Sequence, residues 1–172
     1  MNSKQRLADL ENILDSLYET LGEAQKRRAY ANDIFEKNSI KQRLRREVLP
    51  EIRKYEEEYW SLLAEEPPDC VDEVAASHAI VKVVEEVKLI QSQPNQYPDE
   101  FMQKLQKILD KVNEPQTPAA GKLIATLPFI PGIMSYELEL DTEISLKRVF
   151  AGIKKLLKKK EYNKINQFHP HQ

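Results

Sequence analysis

The sequence predicts a mainly α-helical protein: an N-terminal antiparallel coiled-coil hairpin, then a small helical domain with a β-hairpin and a C-terminal amphipathic helix. Three observations carry that prediction. Leucines recur at heptad spacing near the N-terminus, three Pro-rich joints divide the chain, and only four of 172 residues are glycine while 31% are charged. The joints fall at Glu66-Pro67-Pro68-Asp69, at Pro94 to Pro98, and at Pro115 to Pro118. They suggest a hairpin over 1–66, a domain over 67–164, and a disordered tail over 165–172.

Composition removes several function classes. Few glycines argue against phosphate cradles and turn-rich β-sandwiches. One cysteine, Cys70, leaves no internal disulfide and no four-cysteine zinc site. The first 25 residues are polar and charged throughout, which does not read as a signal peptide. The expected location is therefore cytoplasmic, with peripheral membrane attachment as the variant. Net charge is −2, which argues against a bulk nucleic-acid binder. The charge is uneven: 1–66 carries 12 Lys/Arg against 14 Asp/Glu, 67–113 carries 5 against 8, and 114–172 carries 9 against 6.

Leu7, Leu10, Leu14, Leu17, Leu21 and Ala24 are spaced 3, 4, 3, 4, 3, a heptad seam on a helix expected from about Ser3 to about Glu36. Lys37-Asn38-Ser39 reads as the turn, with Asn38 or Ser39 capping a second helix. That helix presents Ile40, Leu44, Val48, Ile52, Tyr55, Tyr59 and Leu62, and its opening 4, 4, 4 spacing drifts off the heptad. Pro50 lacks an amide proton and meets the carbonyl of Arg46, so a kink or break is expected there. A short turn between two seams makes the helices antiparallel. Each then buries one stripe, and the pair needs a further partner: the rest of the chain, a second copy, or a helical module on another protein. The candidate interface is Leu7, Leu10, Leu14, Leu17, Leu21, Leu44, Ile52, Tyr55, Tyr59 and Trp60, the aromatic members serving as anchors. Lys41, Arg43, Arg45 and Arg46 read as a solvated face rather than a phosphate contact, since no aromatic interleaves with them.

Val74, Ala75, Ile80, Val83, Val84, Val87 and Ile90 follow helical spacing. Their β-branched members leave a strand as the alternative. Pro98-Asp99-Glu100 opens another helix, whose face is Phe101, Leu105, Ile108, Leu109 and Val112. The stretch from Leu123 to Met134 carries no charge. It is shorter than the roughly 20 residues of a membrane span and contains Pro128, Pro131 and Gly132. Met134, Tyr136, Leu138 and Leu140 alternate with Ser135, Glu137, Glu139 and Asp141, which predicts a strand paired with 123–127. Asp141 and Thr142 cap a last helix with Leu146, Val149, Phe150, Ile153, Leu156 and Leu157 on one face. Lys154, Lys155, Lys158, Lys159 and Lys160 load its C-terminal part. They complement the helix dipole, or contact an anionic partner or lipid surface.

The search for chemistry finds little. Gly121-Lys122 lacks the earlier glycine and the following Ser/Thr of a phosphate loop. His169 and His171 are too few for a structural metal site, and His78 has no ligand partners at suitable spacing. Cys70 needs a base that the sequence does not place beside it. Glu137, Glu139 and Asp141 form a carboxylate row, more simply the wet side of a strand. No cofactor or catalytic residue is expected.

Two blocks together resemble helical effector-associated segments of bacterial, often cyanobacterial, NACHT- and STAND-type conflict proteins. One is 17–63, with Lys41-Gln42-Arg43-Leu44 leading into Glu56-Glu57-Glu58. The other is 103–157, with Leu127-Pro128-Phe129-Ile130-Pro131-Gly132 and the string from Ser135 to Glu143. The resemblance implies a non-enzymatic adaptor that recruits a signalling NTPase to an effector. It carries no catalytic motif, and Pro50 interrupts a helix expected to be continuous. With no NTPase or effector domain in these residues, the partner is expected on another chain.

Overall fold

The computed structural model describes residues 2–65, 71–93, 96–140 and 146–168, with 137–140 and 158–168 described by backbone alone. Of the expected disordered tail, residues 165–168 are helical, continuing the last helix, and 169–172 lie outside the described residues, as does the Cys70 linker. The fold is mainly helical, and no strand occurs among the described residues.

Helix α1 (Ser3–Tyr30) starts where the Asn2 side chain accepts the Gln5 amide at 2.8 Å. It ends at extended Ala31. Asp33 then caps α2 (Ile34–Arg43) by accepting the Phe35 amide at 3.0 Å. The turn is therefore 31–33, and the expected turn at Lys37-Asn38-Ser39 lies inside α2. An aspartate cap immediately after a helix end outweighs the weak helix propensity of Asn38 and Ser39 on an exposed face.

The Pro50 irregularity takes the form of a wide turn. Leu44–Val48 is π-helical, with the Leu49 amide donating to the Leu44 carbonyl, and α3 (Leu49–Ala64) follows without a break. Pro50 occupies the first turn of α3, where its missing N–H costs little. The wide turn also rotates Leu49 onto the face of Leu44. Leu49 is buried, whereas Val48, which the 4, 4, 4 spacing placed on the seam, is half-buried.

α1 and α2–α3 run antiparallel. Arg6 pairs with Glu58, Tyr59 donates to Glu11, and Leu21 packs with Leu44, Leu49 and Ile52. The chain thus doubles back at 31–33 and packs α1 against α3; these contacts do not show the expected coiled coil. The lower half of this hairpin does not stand apart. Leu7, Leu10, Leu14, Tyr59, Trp60 and Leu63 share one apolar core with buried residues from Val71 through Leu157. The upper half is a protrusion whose small cluster draws only on hairpin residues, and α2 contributes no buried side chain.

The remaining helices are α4 (Glu73–Gln91), α5 (Asp99–Val112), α6 (Ala119–Thr126), α7 (Ile130–Leu140) and α8 (Leu146–Phe168). α5 follows its predicted face, with all five apolar residues buried. Glu73 at the start of α4 accepts the Ala119 and Ala120 amides and so caps α6. The predicted β-hairpin over 123–140 is absent: α6, a 3-10 turn at Leu127–Phe129 and α7 occupy that region. Each proline sits at the second position of a helical segment, so neither breaks one. Leu123, Leu127, Ile130 and Ile133 then form a helical stripe buried in the core. The uncharged stretch from Leu123 to Met134 is core rather than a surface patch, and tertiary packing overrides the alternation that follows it.

Candidate interaction surface

The residues nominated from sequence are mostly spent within the chain. Leu7, Leu10, Leu14, Leu21, Leu44, Ile52, Tyr59 and Trp60 are buried, while Leu17 and Tyr55 are half-buried against the same packing. Tyr59 and Trp60 meet edge to face at 5.8 Å, and the Lys154 ammonium of α8 lies 4.2 Å from the Tyr59 ring and 5.9 Å from the Trp60 ring. Lys154 thus ties α8 to α3. Lys155 is exposed, and the side chains of Lys158, Lys159 and Lys160 lie outside the described residues.

Sequence reasoning missed one buried charge. Glu56, read as part of a solvated acidic run, is 2% exposed. Its carboxylate accepts the Trp60 indole N–H at 2.7 Å and the Tyr18 hydroxyl at 2.9 Å. Lys147 of α8 lies 5.3 Å from the Tyr18 ring. The Glu56 and Trp60 spacing of i, i+4 was the available signal. Just before the first leucine of the heptad seam, Arg6 donates to Glu58 through two of its guanidinium nitrogens, Nε at 2.6 Å and Nη2 at 2.8 Å. The Arg6 hydrogen bond lowers the Glu58 pKa from the usual carboxylate value, and the Glu58 hydrogen bond raises that of Arg6.

A shallow groove of about 390 Å³ is lined by Glu57, Ser61, Lys104, Lys107, Phe129 and Gly132, among others. The Lys104 ammonium fills the space a side chain at Gly132 would need and lies 5.0 Å from the Tyr136 ring. This is a surface of mixed charge. No group of three or more His, Cys, Asp or Glu that would hold a metal occurs among the described residues. His78 is exposed on α4, and Gly121 and Lys122 lie within helix α6. Cys70, His169, His171 and the side chains of Glu137, Glu139 and Asp141 lie outside the described residues.

Large exposed apolar side chains fall into two groups. The first is a stripe along α4. Ala76, Val83, Val87 and Ile90 face the core, while Val74, Val81 and Leu89 are each more than half exposed on the opposite face. Val74 therefore leaves the apolar face to which its spacing assigned it. Spacings of seven and eight residues keep these three in line. Exposed Ser77, His78, Lys82, Glu85 and Lys88 fill the intervals.

The second group is the tip of the hairpin: Tyr30 at 84%, Phe35 at 79% and Ile34 at 65% exposure. The surrounding residues 23–47 hold eight Lys/Arg against four Asp/Glu. Folding the chain into a hairpin therefore concentrates positive charge at one end of a segment that is acidic in sum. No helix among the described residues is long and apolar enough to cross a membrane.

No protein-family model, no curated protein and no solved structure matches this chain. The likeness to effector-associated segments therefore rests on the quoted strings alone.

Proposed function

We propose that this protein is a non-enzymatic interaction module that pairs with a second copy of itself through the outer face of α4. The observation that carries this reading is the line of Val74, Val81 and Leu89 on an otherwise polar helix face. The stripe is self-complementary. An antiparallel pair of α4 helices with a two-fold axis between Val81 and Lys82 sets Val74 against Leu89 of the second copy, and His78 against Glu85 of the second copy. Both partners of each contact are exposed in the single chain. Such an isologous contact closes on itself and stops at a dimer. α4 is about 28 Å long. A single helix pair of that length sits at the small end of specific interfaces, so the association is expected near micromolar, on the order that modest area supports.

The heptad seam, by contrast, has no leucine left for a second chain, because its residues fill the hairpin and the core. The adaptor role implied by the resemblance fits a module that brings two hairpins together, and it stands as a proposal on that basis.

Sedimentation velocity of the full chain over a concentration series tests the reading. A monomer–dimer equilibrium is expected, weakened at least about tenfold by Val81→Asp. Glu85→Lys alone should weaken pairing, and His78→Glu added to it should restore pairing. A monomer at every concentration, or a dimer indifferent to Val81→Asp, would reject the proposal.

A further inference from the structure

The hairpin tip has a shape and charge that the α4 contact does not use. Tyr30, Ile34 and Phe35 lie within six residues, at the apex of a protrusion whose α2 arm buries no side chain. Two carboxylates lie near the apex: Asp33, which caps α2, and exposed Glu36 in the first turn of α2. Lys26 and Arg27 stand within the last two turns of α1, and Lys37 and Lys41 within the first two turns of α2. The order along the protrusion is the informative point: apolar apex first, basic collar set back from it by up to two turns, roughly 3–10 Å. We propose that this tip docks on an anionic lipid bilayer, the three apolar side chains entering the interfacial layer while the collar meets the lipid phosphates and carboxylates.

The geometry favours a bilayer over the other anionic or apolar occupants. A nucleic-acid backbone would call for the cations at the apex, where phosphates are met first, and an aliphatic Ile34 offers no stacking surface. A second copy's tip would bring like charges together, since residues 23–47 carry eight basic against four acidic groups. A bilayer instead presents apolar depth behind a negatively charged surface, and it takes the two features in the order in which the hairpin presents them. A collar at this depth lies within a Debye length of the lipid surface, about 8–10 Å, so each basic group contributes. The surface is separate from α4, so either proposal stands or falls alone. If both hold, the dimer carries two tips, and their avidity exceeds the affinity of one.

The test is flotation of the full chain with vesicles of phosphatidylcholine, with and without phosphatidylserine. Binding is expected only with phosphatidylserine, and it should weaken as salt rises. The double variant Ile34→Ser, Phe35→Ser should lose at least about tenfold in binding, while its circular dichroism and melting match the parent because neither side chain is buried. Arg27→Gln with Lys37→Gln should also lose binding. A Tyr30→Trp variant supplies a depth readout: brominated lipid should quench the introduced indole and spare Trp60, which is 1% exposed. Three results would overturn the proposal. These are no binding to phosphatidylserine vesicles, binding that ignores the tip substitutions, or an introduced indole that stays unquenched. Tip-dependent binding of a polynucleotide in place of vesicles would assign the site to nucleic acid and overturn it as well.

Discussion

Glu56 is the charged residue among the buried positions of α3. Its carboxylate is buried and accepts from Trp60 and Tyr18. Glu56→Ala removes the acceptor from a buried indole N–H and opens a small void, so a loss of about 2–3 kcal/mol is expected in urea unfolding. Glu56→Gln keeps an acceptor of the same size and should cost about half as much. Glu58, one face away, behaves differently because it is partly exposed and ion-paired. Its folded pKa is lowered by the Arg6 hydrogen bond, so its stabilising contribution is present above the ordinary carboxylate pKa. That contribution is lost as pH falls through the lowered value. Arg6→Gln should therefore destabilise the protein at neutral pH and match the parent once Glu58 is protonated, which urea midpoints on both sides of the carboxylate range would show. Gln116 holds a positive φ of 67° in the turn before α6. Gln116→Gly should stabilise by up to about 1 kcal/mol, the relief of left-handed strain outweighing the extra freedom of the unfolded chain.

Legibility varied from element to element for physical reasons. α5 was readable because one amphipathic face buries Phe101, Leu105, Ile108, Leu109 and Val112 with nothing competing. The α1 seam was readable for the same reason, and so was the described part of α8, where Leu146, Phe150, Ile153 and Leu157 are buried. The hairpin turn falls at 31–33 because Asp33 caps α2, whereas Asn38 and Ser39, of the same capping type, sit within that helix on its exposed face. The β-hairpin over 123–140 was misread because alternation over a few residues has the same sequence signature whether or not a strand forms. Burial of Leu123, Leu127, Ile130 and Ile133 required the α3, α5 and α6 surfaces that only the fold provides. The π turn was legible as a defect at Pro50 but not as a rotation. That rotation makes a discriminating prediction. Leu49→Ala should cost about 2–4 kcal/mol, whereas Val48→Ala should cost well under half of that, because the wide turn buries Leu49 in the cluster with Leu21 and Ile52 and leaves Val48 half-buried against it. A regular α-helix through this segment would reverse the order.

At the scale of the molecule, one apolar core joins the hairpin base to α4–α8, so a cut near residue 66 divides a core rather than separating two. This is why the candidate interface read from the heptads was spent internally. An amphipathic stripe announces burial, but it does not say whether the covering surface comes from the same chain. The surfaces left over are legible only once the core is assigned: Val74, Val81 and Leu89 on α4, and Tyr30, Ile34 and Phe35 at the tip. The proposed self-pairing uses the first of these, with an axis between Val81 and Lys82. Cysteine cross-linking in a Cys70→Ser background tests that axis most directly. Val81→Cys should form a disulfide-linked dimer under mild oxidation, and Val74→Cys should cross-link to Leu89→Cys on a different chain but not to itself. If Val81→Cys cross-links no faster than a cysteine placed at exposed Ser3, the α4 pairing is wrong.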